Sequence, residues 1–573
     1  MTERIHRASL LLFLLAACGG SSDGSAGPSV TTLDPGQAAT VVAGGSVQLQ
    51  GSAATSEYLA VVVNTNTTAG QSESYTLRGD GIVPASSLVP ADAPVAARVA
   101  SGTGVSPERD GAFESRLRDR ERAVLTPKMS AARAWFAARS VPSMEGRSMT
   151  RVLAPGARSD GAIPGTATVG QLFQVNVNGV DACTNPVIHT VRVVAITTHA
   201  IVVADTLNPL PTFTTADYQR FATRFDTLVY PLDVGAFGAP TDIDGNGRIV
   251  LLFTRAVNEL TPANSGSYVG GFQFSRDLFP VTTQPRPGAA SLTGCAASNV
   301  AEMFYLLAPD PLGTVNGNRR STGFVDSNTT AVIAHEFEHT INASRRLYVN
   351  NADVLEVKWL DEGLAHIAEE LLFYRESQLS PRQNIGIADL PSGTQKRSAF
   401  NFDMIGNAGR YRTFLLAPAK NSPYAADDSL PTRGAAWSLL RYAADRLGST
   451  DSDLFFRLVN SKATGVANFE ATLGVSMKTY VRDWSTSNAA DDVAATAAEY
   501  QQKSWNWHSI FPPLYGSYPL NIPSLPNSTN ASGTIVSGGS SYYKLAVPAS
   551  GSGTVALSGA SPSNLQLVIV RTK

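Results

Sequence analysis

Residues 328–341 read NTTAVIAHEFEHTI, and residues 359–365 read WLDEGLA. If the first segment is helical, His335 and His339 lie one turn apart on one face, so both imidazoles can reach the same ion. Glu336 then projects about 100° around the helix axis from His335, beside that ion. From there its carboxylate can accept a proton from a metal-bound water. The spacing therefore predicts a helix that holds zinc and carries a general base.

A catalytic zinc needs a third protein ligand and an open position. A third histidine after a glycine turn is excluded, because Asn342 and Arg345 stand at the corresponding positions. Glu362 lies on the next predicted helix and can supply the ligand from there. Two antiparallel helices would then bring His335, His339 and Glu362 to one ion.

The same residues set expectations for the bounds and surfaces of these helices. Ser327 or Asn328 can cap the start of the first helix, which we expect to run through Thr340. Three further carboxylates are interpreted as charges on the helix surfaces: Glu338, Glu369 and Glu370.

Paired motifs of this kind resemble those of the gluzincin peptidases. The sequence His-Glu-Phe-x-His, followed by Trp-Leu-x-Glu-Gly-Leu-Ala, resembles the motifs of the hyicolysin family more closely. This resemblance covers roughly residues 166–492. Membership would imply a zinc-dependent endopeptidase that acts on proteins or peptides, with Glu336 as the catalytic base.

The resemblance also suggests supporting residues. Asp361 stands where many gluzincins have Asn, and His366 stands where thermolysin has an Asp that supports a ligand histidine. Either residue is a candidate for orienting a ligand or for donating to the transition state. A tyrosine often helps to hold the oxyanion in gluzincins, and the candidates here are Tyr411, Tyr424 and Tyr442.

A glycine-rich loop offers a second cation site. Asp242, Asp244 and Asn246 stand at positions 1, 3 and 5 of a calcium loop. Position 12 is Phe253, so the usual bidentate carboxylate is missing. Two interpretations stay open: a Ca²⁺ site, or a turn closed by Asx hydrogen bonds.

The N-terminus predicts export. Arg4 and Arg7 precede a short apolar run at 10–17, which is typical of a secretory signal. The run ends in LAAC, which resembles the bacterial lipobox, in which Cys18 would be lipidated. A Gly/Ser-rich tether follows. We expect a secreted lipoprotein bound to the membrane of the bacterial cell envelope or outer membrane by its lipid anchor. A soluble signal peptide with an incidental Cys is the alternative.

Composition narrows the class of protein. The chain has 573 residues, 43% of them hydrophobic, with a net charge of -2. Such a near-neutral chain offers no basic patch, so nucleic acid is not expected as a partner. In an oxidising compartment Cys183 and Cys295 can form a disulfide.

The pattern of elements predicts an α+β fold, with a β-rich half followed by a helical half around the metal helix. Segments 192–196 and 200–204 read as a hairpin, 249–253 as a buried strand, and 437–447 as a helix ending at Gly448. The predicted units are a signal peptide at 1–18, a tether at 19–33, a small β-module at 34–100, a linker or pro-segment at 101–160, the catalytic domain at 161–510 and a C-terminal β-module at 511–573.

Two rival functions stand beside the endopeptidase. A zinc aminopeptidase is one, but the Gly-x-Met-Glu-Asn segment that usually grips a free amine is absent. The other is a non-catalytic, surface-anchored binding or adhesion lipoprotein. A purely structural zinc would not need Glu336, which favours the endopeptidase.

Overall fold

The computed structural model describes residues 30–86, 108–109, 111–145, 148–157, 160–283, 294–447, 450–494 and 496–573. The predicted signal peptide, Cys18, most of the tether and Gly448 lie outside these ranges. Within them, no helix combines the length and the apolar character needed to cross a membrane.

The strands run, in chain order, as β1 (Val30–Thr31), β2 (Ala38–Val42), β3 (Ser46–Gln50), β4 (Ser56–Asn64), β5 (Ser72–Asp80), β6 (Glu108–Arg109), β7 (Ser140–Glu145), β8 (Ser148–Leu153), β9 (Leu172–Asn176), β10 (Ile188–Ile196), β11 (Ala200–Asp205), β12 (Ile249–Thr254), β13 (Ser267–Tyr268), β14 (Gly271–Gln273), β15 (Met303–Leu307), β16 (Asn530–Val536), β17 (Ser540–Val547), β18 (Ser552–Gly559) and β19 (Leu565–Arg571).

The α-helices are α1 (Gly111–Leu125), α2 (Met129–Ala137), α3 (Thr215–Arg224), α4 (Tyr230–Phe237), α5 (Arg255–Glu259), α6 (Thr322–Ser344), α7 (Lys358–Ser377), α8 (Gln395–Ala399), α9 (Ile405–Leu416), α10 (Leu430–Arg446), α11 (Asp451–Val459), α12 (Gly465–Leu473), α13 (Met477–Ala490) and α14 (Trp507–Tyr515).

The two ends of the chain build one β-sandwich. Its sheets have the strand orders β1-β3-β18-β5-β16 and β17-β4-β19-β2, so strands from both ends alternate. Buried residues such as Leu49, Val62 and Leu567 fill the space between the sheets. The expectation of two separate β-modules is therefore corrected. Neither end forms either sheet by itself, because β2, β4 and β5 pair only with strands from the other end of the chain.

The domain that contains the metal motifs is α+β, as predicted. Its sheet has the order β14-β15-β12-β11-β10-β9. β10 and β11 form the predicted hairpin, and every residue of β12 is buried, as its apolar run predicts. The sheet ends at β14, which pairs with β15 and lies next to α6. The edge of this sheet is thus set beside the metal helix.

The central helix α6 is longer than predicted. It begins at Thr322 with Ser321 as its N-cap, whose Oγ accepts from the N–H of Phe324 at 3.1 Å. Ser327 and Asn328 do not cap it. Their side chains donate to backbone carbonyls one turn earlier, an arrangement that short polar residues adopt inside helices. From 329 to 344 every residue is buried, so this helix passes through the core.

Helices α1 and α2 are separated by a single turn at Thr126–Lys128, which contains Pro127. Their apolar residues join the core of the metal-binding domain, and the ring of Phe113 packs edge-on against Phe272 of β14. This part of segment 101–160 therefore packs closely on the domain that follows it. A disulfide joins Cys183 to Cys295.

Candidate metal centre

Helices α6 and α7 bring the three predicted ligands together. His335 Nε2 and His339 Nε2 lie 3.3 Å apart. Glu362 places Oε2 3.5 Å from His335 Nε2 and Oε1 3.8 Å from His339 Nε2. Ligand atoms about 2.0–2.1 Å from a tetrahedral zinc are about 3.4 Å from one another. The three side chains therefore fit a single zinc ion.

The environment of Glu362 keeps its carboxylate charged. The residue is fully buried. Arg433 Nη1 lies 2.8 Å from Oε2. Burial by itself would raise the pKa of Glu362, but Arg433 and the two ligand histidines hold that pKa well below its usual value. A buried carboxylate that stays charged is suited to bind a cation.

Carboxylates also orient both histidines. His335 Nδ1 lies 2.9 Å from Glu369 Oε1, and His339 Nδ1 lies 3.3 Å from Asp361 Oδ2. A carboxylate on one ring nitrogen fixes the tautomer and turns the other nitrogen toward the metal. Asp361, a predicted supporting residue, thus contacts a ligand histidine.

His366 is linked to the ligand His335 through Glu369. It is fully buried, and its Nδ1 lies 3.1 Å from Glu369 Oε2. Burial lowers the pKa of His366 to about 3, against the opposing effect of Glu369, so the ring is neutral at pH 7. His366 therefore holds the carboxylate that orients His335.

The interpretation of three carboxylates as surface charges is wrong. Glu338 and Glu370 are fully buried and Glu369 is 4% exposed. Other elements of the fold pack over the faces of α6 and α7 that would be exposed to solvent if these two helices packed only on each other. Glu370, for example, accepts a hydrogen bond from the indole of Trp505 at 2.7 Å.

Glu336 lies beside the ligand set, as the helix geometry predicts. Its Oε2 accepts from the backbone N–H of Gln273 in β14 at 2.8 Å. One oxygen of Glu336, one of Glu114 and one ring nitrogen of His335 lie within 4.8 Å of each other. The candidate base is therefore held between the metal helix and the sheet edge.

The tyrosine candidates are not at this centre. The hydroxyl of Tyr411 donates to Asn488 at 2.7 Å, that of Tyr424 to the carbonyl of Asn66, and that of Tyr442 to the carbonyl of Glu499. Buried phenols need such partners, and each finds one elsewhere in the core. Two cations near the ligand set are instead Arg433 and Arg118, whose Nε lies 3.8 Å from Glu362 Oε1.

The sequence alone did not predict a role at the centre for four residues: Glu114, Arg118, Glu369 and Arg433. One signal was available for two of them. Glu114, Arg118 and Glu121 recur at the spacing i, i+4, i+7, which places all three on one helix face. Nothing local marks Glu369 or Arg433, because their role depends on what packs against them.

The acidic loop brings together a different set than predicted. Asp242 and Asp244 lie with Glu302, with one carboxylate oxygen from each within 4.8 Å of the others. Asn246 instead donates to Asp244 Oδ2 at 2.8 Å and accepts from the N–H of Arg248. Asn246 thus closes the loop through Asx hydrogen bonds, as the second interpretation of the sequence expects. Glu302 was missed because it is distant in sequence, just before β15, and joins the loop only through the sheet.

Comparison with known proteins agrees with a metal centre of this kind. No family model matches the chain. The chain is 28% identical over 153 residues to the Neutral metalloprotease ShpI of Staphylococcus hyicus. The matched part is 27% of this chain and 30% of that protein, so the chain spans less than a third of the relative's length. The chain is thus similar to a metalloprotease over part of its length, and it carries a candidate His-His-Glu site.

Proposed function

We propose that this chain is a zinc-dependent endopeptidase of the hyicolysin type. The observation that carries the proposal is the convergence of His335, His339 and a charged, buried Glu362, with Glu336 beside them. The distant similarity to a metalloprotease supports the same conclusion. A structural zinc fixed by four protein ligands has no use for a neighbouring base.

The chain's own residues perform the proton transfers. Zinc, when bound, supplies Lewis-acid polarisation of the scissile carbonyl and lowers the pKa of water. Glu336 accepts the proton of the attacking water and returns it to the leaving nitrogen. The hydrogen bond from the N–H of Gln273 keeps the carboxylate of Glu336 in place for both transfers. Arg433, 2.8 Å from Glu362, keeps that carboxylate charged for cation binding.

The test uses purified protein lacking the segment Met1–Cys18, as wild type, Glu336→Gln and the exposed control Glu259→Gln. Bound zinc and cleavage of casein are measured for each. We expect about one zinc in all three proteins, with cleavage lost only in Glu336→Gln. Zinc in all three without any cleavage, even after limited proteolysis to remove a pro-segment, would favour the non-catalytic lipoprotein.

A second experiment uses two peptide substrates to distinguish an endopeptidase from an aminopeptidase. A peptide with an acetylated N-terminus and the same peptide with a free one are compared. We expect both to be cut at internal bonds. Cleavage of the free peptide alone would favour the aminopeptidase.

We further propose that the mature protein is a bacterial lipoprotein anchored through Cys18. The observation is the short apolar run ending in LAAC, followed by a Gly/Ser-rich segment. Cys18→Ser should abolish incorporation of labelled palmitate and release the protein from the membrane fraction. Labelling that persists in this variant would contradict the anchor.

A further inference from the structure

Helix α1 lies across the metal centre with a charged face turned inward. Glu114, Arg118 and Glu121 on that face are 3%, 6% and 2% exposed. Arg433 Nη1 bridges Glu114 and Glu362, and a Glu114 oxygen lies close to His335 and Glu336. Glu114 is therefore a further acidic side chain beside the ligand His335 and the candidate base Glu336.

The same helix covers the free edge of the sheet. Arg118 Nη1 donates to the carbonyl of Gln273 at 3.2 Å, and Glu121 accepts from the N–H of Ser275. Both backbone groups belong to β14 or closely follow it. An extended peptide adds to a sheet by hydrogen bonding with such edge groups. Side chains of α1 therefore use the bonds that a peptide beside the metal would need.

Among the residues that the structure describes, the space beside the centre is too small for a peptide. His335, Glu336 and Glu362 are fully buried. The adjoining cavity, lined in part by Arg118, Glu121, Gln273 and His339, has a volume of about 20 Å³. That is the space of roughly one water molecule.

The inward face of α1 is charged, and this distinguishes α1 from an ordinary core helix. A core helix normally buries apolar side chains, because each buried charge must be compensated. Here the compensation comes from the centre itself. Arg118 lies 3.4 Å from Asp361, and Glu114 pairs with Arg433. Two charged side chains of α1 thus pair with residues of the metal centre.

We propose that α1 occupies the substrate site of its own chain, with Glu114 as the fourth protein ligand of the metal. Arg118 and Glu121 make the hydrogen bonds to Gln273 and Ser275 that the backbone of a bound peptide would otherwise make. Molecules with α1 in place are therefore latent, and cleavage by the wild-type protein comes from the fraction of molecules in which α1 is displaced and the centre is open. This inference rests on the proposed peptidase function, which it extends to regulation of the same site.

The test measures access to the metal without requiring turnover. Zinc-loaded protein lacking the segment Met1–Cys18 is prepared as wild type, Glu114→Gln and Glu114→Asp, with Asp119→Asn as the control. Asp119 lies on the same helix but its side chain is 65% exposed. Affinity for acetohydroxamate, which binds zinc at an open position, is measured by calorimetry, and casein cleavage is assayed in parallel.

We expect both Glu114 variants to bind acetohydroxamate at least tenfold more tightly than wild type, with cleavage rising in parallel and Asp119→Asn unchanged. Glu114→Asp keeps the charge opposite Arg433, so it guards against a folding defect in Glu114→Gln. Wild-type affinity in zinc-loaded, folded variants would overturn the inference. Tighter acetohydroxamate binding without any cleavage would leave the inference standing and remove the proposed function instead.

Discussion

Glu369 Oε1 lies 2.9 Å from Nδ1 of His335, and this contact turns Nε2 of the same ring toward His339 and Glu362. Loss of a carboxylate behind a ligand histidine typically weakens metal affinity about 10- to 100-fold. We expect Glu369→Ala to weaken zinc binding within that range, measured by competition with a chromogenic chelator. Glu376→Ala, on the same helix but paired with Arg224, should bind zinc as wild type does. Equal affinities in the two variants would contradict the role of Glu369.

The position of Tyr411 predicts that its role is structural and not catalytic. Its hydroxyl bonds Asn488 and Gln502 in the core, away from the ligand set. Tyr411→Phe should leave kcat and KM unchanged while lowering the free energy of unfolding by about 1–2 kcal/mol, because buried partners lose a hydrogen bond. Urea unfolding and casein kinetics check both parts. A fall in kcat of tenfold or more, without a change in zinc content, would return Tyr411 to the catalytic site.

The disulfide between Cys183 and Cys295 closes a loop with a sequence separation of 112 residues. Cross-links over long loops stabilise a protein mainly by restricting its unfolded state, typically by about 2–4 kcal/mol. The double variant Cys183→Ser, Cys295→Ser should lose stability of that order in urea unfolding. Its bound zinc should be unchanged, since neither cysteine belongs to the metal centre. Reduction of the wild-type protein should reproduce the loss.

The carboxylates Asp242, Asp244 and Glu302 predict a response to pH and calcium. Burial, helped by the nearby Asp242, raises the pKa of Glu302 from its ordinary 4.5 to about 8. Between these pH values the folded chain keeps a proton that the unfolded chain has lost. Stability should therefore fall as the pH rises from about 4.5 to about 8.

Two measurements check this expectation. Melting temperatures of Glu302→Gln should fall less over this pH range than those of wild type. We also propose that Ca²⁺ binds these three carboxylates, so millimolar calcium should raise the melting temperature of wild type at pH 8 but not that of Glu302→Gln. An equal calcium effect on both proteins would place the ion elsewhere.

Several features follow from the sequence alone because they depend on local periodicity. The spacing of His335, Glu336 and His339 fixes their directions on any α-helix. The runs of apolar and β-branched residues at β10, β11 and β12 likewise predict strands without reference to the rest of the chain. These elements also determine the α+β class.

Other features were decided only by tertiary structure. Glu369 looks like a surface charge until other elements cover α7, and Glu302 joins the acidic loop only when β15 lies in the sheet. Glu114 and Arg433 are 319 residues apart in the sequence, yet they meet at the metal centre. The two ends of the chain interleave in one sandwich. A sequence pattern shows which face of an element is apolar or charged, but burial depends on which distant element packs against that face, and this packing is a property of the whole chain.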